Sequence, residues 1–156
     1  MRKQLFLNSA QDDQTPLYED VLKNRPVRRL LCLDSHPSLC RLYKTLFKSV
    51  GYSVITTNDE QEALRIMRRQ MVDVFTHDII RNGVGGVNFI RLMKSDELLR
   101  YMPILVISAM PREFVGYQLW LDGLDLESDV DGFIQKPFKV EALLNELGAI
   151  VQSTFK

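Results

Sequence analysis

Val72-Asp73-Val74-Phe75-Thr76-His77-Asp78 is the stretch that decides the fold. Val72 to Thr76 reads as a strand, mostly apolar, as strands covered on both faces are, and the chain leaves it through a carboxylate. Four other runs repeat the pattern: Leu30-Leu31-Cys32-Leu33, Tyr52-Ser53-Val54-Ile55, Ile104-Leu105-Val106-Ile107 and Phe133-Ile134. Amphipathic stretches of helical period alternate with them. Five strand–helix units in that order describe an α/β domain, a parallel sheet with helices on both faces.

Around the central strand the helices can be placed by their apolar spacing. Leu39, Leu42, Tyr43, Leu46, Phe47 and Val50 form one stripe expected to be buried, and Gly51 stops that helix. The second helix is expected to start at Asn58, with Gln61 completing a capping box. It should bury Ala63, Leu64 and Met67 and leave Arg65, Arg68 and Arg69 in water. A third runs from about Val87 to Lys94 behind Gly83-Val84-Gly85-Gly86, and the last from Val140 to about Val151 with Val140, Leu143, Leu144, Leu147, Ile150 and Val151 on one face.

Residues 1–27 read as an N-terminal extension ahead of a domain over 28–154. This leader is polar, holds Asp12, Asp13, Glu19 and Asp20, and closes on the turn-prone Asn24-Arg25-Pro26. Thr15 and Pro16 could start a short helix within it, one too short to persist alone. The whole chain has 156 residues, with 20 Lys and Arg balancing 20 Asp and Glu. That balance argues against a partner held mainly through phosphate charge, so no direct nucleic-acid contact is expected. No run is long enough to span a bilayer and no secretory signal is visible, which makes the cytoplasm the expected address. Cys32 and Cys40 offer neither a disulfide framework nor a metal cluster.

In an open parallel sheet, ligands bind beyond the carboxyl ends of the strands. The residues found there are Asp34-Ser35, His77-Asp78, Ser108-Ala109 and Lys136-Pro137. Two carboxylates can hold a hard divalent cation, and a hydroxyl and an ammonium beside them can neutralise a phosphoryl group. His77 should point away from the side of Asp78, since neighbours on a strand alternate faces, and His36 should lie on the surface near a helix start.

Asp34-Ser35-His36-Pro37, the stretch ending in Asp78 with Gly83 and Gly86 behind it, Pro103 to Ala109, and Phe133-Ile134-Gln135-Lys136-Pro137-Phe138 together resemble the ordered motifs of the two-component response-regulator receiver domain, the CheY-like superfamily. The resemblance implies a doubly wound, five-stranded parallel sheet of flavodoxin-like (β/α)5 type with strand order 2-1-3-4-5. It implies that Asp78 is the phosphoacceptor and that Mg²⁺ is held by Asp34, Asp78 and the backbone carbonyl of Ile80. Ser108 and Lys136 would bind the phosphoryl group, Ser108 and Phe133 would switch with activation state, and Lys136-Pro137 would be a cis peptide. A sensor histidine kinase or phosphotransfer protein would be the donor, and a downstream protein the target. The chain would be a stand-alone signalling module, not an enzyme, because it ends with the last helix of the domain.

Three departures from the family pattern matter. Ser35 occupies the place of a second acidic residue, normally the direct metal ligand, so Mg²⁺ dependence should be weakened. Asn82 stands where a proline is usual. The interval from Ser108 to Lys136 is long by roughly six residues, placing extra length in the fourth helix and the acidic run Asp122 to Gly132, which suggests an altered partner or homodimer surface. Ser35 also keeps open a pseudo-receiver, an interaction module that does not answer to phosphorylation. A calcium loop starting at Glu127 fails because Phe138 stands where a bidentate Glu is required. Tyr117 and Trp120 are expected to serve helix packing. A dehalogenase-like phosphatase is disfavoured by His36, and a flavodoxin-like cofactor binder by the lack of a phosphate loop after the first strand.

Overall fold

The computed structural model describes residues 28–81 and 84–155. The short helix expected after Thr15, and the positions of Asn82 and Gly83, lie outside the described residues. Five parallel strands, β1 (Arg29–Leu33), β2 (Ser53–Thr57), β3 (Val74–His77), β4 (Ile104–Ser108) and β5 (Gly132–Gln135), pair in the order β2-β1-β3-β4-β5. The reversal of winding falls between β1 and β3. An unanticipated two-residue antiparallel ladder follows β3, pairing Ile80 with Gly85 and Arg81 with Val84.

Strand alternation sorts the core into two layers. Leu31, Leu33, Phe75, Ile104 and Val106 face α2 (Glu60–Arg69), α3 (Val87–Ser95) and α4 (Arg112–Leu121). Leu30, Cys32, Val74, Leu105 and Ile107 face α1 (Pro37–Ser49) and the final helix α6 (Val140–Thr154), meeting Tyr43, Phe47, Leu143, Leu147 and Ile150. β4, buried at all five positions, is the strand whose sequence was apolar throughout. β2 lies at the sheet edge and is half-buried at three positions.

Several helical expectations need correction. Leu42 and Val50 are exposed, because only Tyr43 and Phe47 of the α1 stripe point fully into the layer while Leu39 and Leu46 cover its rim. Val140 is also exposed, at the first turn of α6. The cap of α2 is Asp59 and not Asn58: β2 runs on to Thr57, whose hydroxyl accepts from the Asp59 N–H, and the Asp59 carboxylate then accepts from Gln61 N at 2.8 Å. Gly51, at φ +97°, ends α1 in the left-handed conformation that its sequence position suggested.

The long interval before β5 condenses into structure. α4 closes through Gly123, also at positive φ, and a one-turn helix α5 (Leu126–Asp129) follows, capped by Asp125 through Ser128 N. Asp131 exchanges two bonds with Ile104, accepting from its N–H at 2.8 Å and donating to its carbonyl at 3.0 Å. Asp73 does the same for Arg29 ahead of β3. The acidic run is therefore capping and strand-edge chemistry, which agrees with its failure as a calcium loop. Among the described residues, no helix is long and apolar enough to cross a membrane.

Candidate functional site

Register brings the strand-end residues together. Leu33 pairs with His77, so Asp34 and Asp78 leave the sheet side by side; Ser108 pairs with Gln135, so Lys136 follows one residue later on the neighbouring strand. The Lys136-Pro137 peptide is cis, as the resemblance implied. Lys136 Nζ lies 2.9 Å from Asp34 Oδ2 and 3.3 Å from Asp78 Oδ2, a single ammonium shared between two buried carboxylates. Ser108 is fully buried, and its hydroxyl accepts from Met110 N at 3.1 Å. Contact with a group on Asp78 would require that hydroxyl to turn.

The two carboxylates differ in their surroundings. Asp34 accepts from His36 N (2.9 Å), from Lys136 and from the Tyr43 hydroxyl (3.3 Å), and its Oδ1 lies 3.1 Å from His36 Nδ1. Burial alone would raise its pKa, but the His36 backbone N–H and the Lys136 ammonium outweigh it and hold the group below the ordinary carboxylate value. For Asp78 the balance reverses. Burial raises it, Lys136 opposes, and the charge of Asp34 adds to the rise. Asp78 Oδ1 is buried with no hydrogen-bond partner among the described residues. A buried carboxylate oxygen left this way costs stability unless something else approaches it, which marks the edge as a place for a cation or an incoming electrophile.

This donor set fits a divalent cation: Asp34, His36 and Asp78 offer ligand atoms within 4.8 Å of one another. Two members of the pocket escaped the sequence reading. His36 is exposed, as expected, yet its ring turns back onto Asp34. Tyr43 was read as packing, and it is buried, but its hydroxyl also reaches Asp34. The local signal for His36 was its place two residues beyond a strand-ending Asp, where an Asx-type turn returns the backbone N–H to the carboxylate. His77 is buried, stacked on Phe75 and tilted against Phe89, with Nε2 3.1 Å from the Gly86 carbonyl, a packing role. Phe133 is half-buried beneath the Arg112 guanidinium, 5.8 Å from the ring centre, while Arg112 also pairs with Glu127 of α5.

On α4 the expectation of packing fails for the aromatics. Val115 and Leu119 take the buried face, leaving Trp120 (68% exposed), Tyr117 (55%), Leu121 and Phe114 on the solvent side, with the Tyr117 and Trp120 rings stacked at 6.0 Å.

Sheet order and strand-end chemistry define a small α/β module with two carboxylates and a lysine at the carboxyl edge of its sheet. A family model described as the response regulator receiver domain matches residues 30–148, and the chain belongs to that family. Among curated relatives, the CAI-1 autoinducer sensor kinase/phosphatase CqsS of Vibrio cholerae is 30% identical over 132 residues, 83% of this chain but 18% of that protein. The chemotaxis protein CheY of Pseudomonas aeruginosa is 22% identical over 80% of this chain and 96% of its own length. The chain spans about half the length of several others, such as the DNA-binding response regulator MtrA of Mycolicibacterium smegmatis (26% identical, 78% of this chain, 50% of the relative). Among solved structures, the chemotaxis response regulator CheY4 of Vibrio cholerae superposes with TM-score 0.67 at 22% identity, covering 80% of this chain and 98% of that one. A two-component response regulator from Clostridium difficile gives 0.69 at 18% identity, covering 83% and 99%.

Proposed function

We propose that the domain, taken as residues 28–154 behind an extension over 1–27, accepts a phosphoryl group on Asp78 and passes the signal on by protein contact in the cytoplasm. The observation that carries this reading is the Asp78 Oδ1, buried without a hydrogen-bond partner among the described residues, beside an ammonium shared with Asp34. The donor is a phosphohistidine on a sensor histidine kinase or phosphotransfer protein. A carboxylate oxygen of Asp78 forms the new bond to phosphorus as the phosphorus–nitrogen bond breaks, its electron pair leaving on the imidazole. Lys136 balances charge on the phosphoryl oxygens, and the Ser108 hydroxyl exchanges its Met110 bond for one of them. Phe133, half-buried beneath Arg112, would be the aromatic that responds.

Mg²⁺ would be held by Asp34, Asp78 and the Ile80 backbone carbonyl, with Ser35 reaching it through water. Its chemistry there is charge neutralisation between carboxylates and phosphoryl oxygens. With one carboxylate fewer, the site should bind Mg²⁺ weakly, and Ser35→Asp should tighten it by about tenfold; equal affinity in the two proteins by calorimetric titration contradicts the assignment. The exposed α4 face of Phe114, Tyr117 and Trp120 supports signalling to a protein target or a second copy of the chain.

Ser35 favours a second reading, a pseudo-receiver whose conformation answers to a partner alone. Acetyl phosphate with Mg²⁺, read by intact mass on wild type and Asp78→Asn, separates the two. An adduct confined to wild type supports phosphorylation, and its absence from both supports the pseudo-receiver.

A further inference from the structure

Helices α2 and α3 cover the same face of the sheet and leave an open groove of about 410 Å³ between them, whose lining includes Gln61, Leu64, Asn88, Phe89, Arg91 and Leu92. Leu64 and Phe89 are its buried floor, and Leu92, 44% exposed, is an apolar rim. The charge around it is uneven. Glu60 and Glu62 stand in the first turn of α2, while Arg65, Arg68 and Arg69 follow toward its end, and Arg91 and Lys94 lie on α3. Arg68 is paired with Asp96 at 2.7 Å, but Arg65, Arg69 and Arg91 are exposed with no ion-pair partner among the described residues. Cations in a last helical turn complement the helix dipole, which accounts for Arg68, Arg69 and Lys94. Arg65 and Arg91 precede those turns, and the dipole does not explain Leu92 in water.

Connectivity puts the basic end of the groove beside the point where the chain enters the sheet. α2 returns from the carboxyl edge and ends at Arg69, and Asp73, just beyond it, exchanges two hydrogen bonds (2.7 and 2.8 Å) with Arg29, the first residue of β1. Upstream, Asp12-Asp13-Gln14-Thr15-Pro16-Leu17-Tyr18-Glu19-Asp20-Val21-Leu22 holds Asp12, Asp13, Glu19 and Asp20, no Lys or Arg, and the apolar Leu17, Tyr18, Val21 and Leu22. From Leu22 to Arg28 the backbone can span at most about 20 Å. A tether that short gives an effective concentration on the order of mM, enough to populate a contact that would be weak between separate molecules.

We propose that residues 12–22 of this chain are the occupant of the α2–α3 groove, their carboxylates pairing with Arg65, Arg69 and Arg91 and their apolar side chains covering Leu64 and Leu92. Opposite charge, shared apolar content and a tether that ends at the right edge are separate observations, and they agree on this one segment. The segment reaches the groove from the amino edge of the sheet, opposite the edge that holds Asp34 and Asp78, so the proposal does not depend on phosphate at Asp78.

The test is amide hydrogen exchange by mass spectrometry, with amide chemical shifts, on the full chain in four forms. These are wild type, the groove variant Arg65→Glu/Arg69→Glu/Arg91→Glu, the segment variant Asp12→Lys/Asp13→Lys/Glu19→Lys/Asp20→Lys, and the two sets combined. The three arginines are exposed, so the groove variant should keep the fold, checked by the shifts of β1, β3 and β4. Exchange over residues 12–22 should be slower in wild type than in either variant by about fivefold or more, and the combined chain, with both charges reversed, should regain that protection. The segment variant should also shift the amides of Arg65, Asn88, Arg91 and Leu92, which decides the matter by itself if the groove variant does not fold. Equal exchange over 12–22 in all four forms, with groove amides indifferent to the segment variant, would overturn the proposal. Protection that is lost on dilution, with a dimer seen by sedimentation, would also overturn it and assign the groove to a second copy of the chain.

Discussion

Asp34 and Asp78 are pulled in opposite directions by one environment, and stability should show it. Asp78 has a folded-state pKa above its unfolded value, so its ionised form destabilises the fold at neutral pH, and that cost fades as pH falls through the raised folded value. Asp34, held below its unfolded value, contributes stability above the unfolded pKa that is lost as pH falls through the lowered folded one. Asp78→Asn should therefore raise the melting temperature of the metal-free protein at pH 7 by a few degrees, about 1 kcal/mol. The gain should shrink toward pH 4 as wild-type Asp78 takes up a proton. Asp34→Asn should destabilise at pH 7, since it removes the partner of Tyr43 and half of the Lys136 pairing. Thermal melts across pH check both signs. Cys32 belongs to this scale too. Burial pushes its thiol up to about 12, so in the native protein it should resist alkylation at pH 8 until denaturant is added, checked by mass spectrometry.

At the scale of elements, the strands were legible because burial on both faces writes itself as short apolar runs, and Asp34, Asp78, Ser108 and Lys136 because each ends one of them. The sequence did not show the Asp59 cap, since Asn58 and Asp59 are chemically similar and only the reach of β2 to Thr57 decides between them. Nor did it show which aromatics of α4 face water, because a helix lying on a sheet through Val115 and Leu119 has no need of them. Returning side chains such as His36 and Tyr43 depend on a turn and on a helix passing overhead, contacts that no spacing rule contains. Gly132 opens β5 against α6: a Cβ there would stand 2.8 Å from Ile150 Cδ1 and 3.1 Å from Leu105 Cδ1. Gly132→Ala should destabilise by about 1–3 kcal/mol in urea melts. Trp120→Ser should change stability by less than about 0.5 kcal/mol while weakening association with a target or a second copy. A large stability loss would mean the ring packs.

Over the whole molecule the charges cancel, 20 against 20, while the site concentrates two carboxylates around one lysine at the edge where β1, β3 and β5 end. Parallel register makes this possible, because it sets the ends of distant segments level, uniting residues 34, 78, 108 and 136 without any local motif joining them. The central claim is that this edge takes phosphate on Asp78. It is tested most directly by adding beryllofluoride with Mg²⁺ to the full chain and following amide chemical shifts in wild type and Asp78→Asn. The account predicts shifts around Asp34, Asp78, Ser108 and Lys136 that extend to Phe133 in wild type and are missing from the variant; identical spectra with and without beryllofluoride in wild type would contradict it.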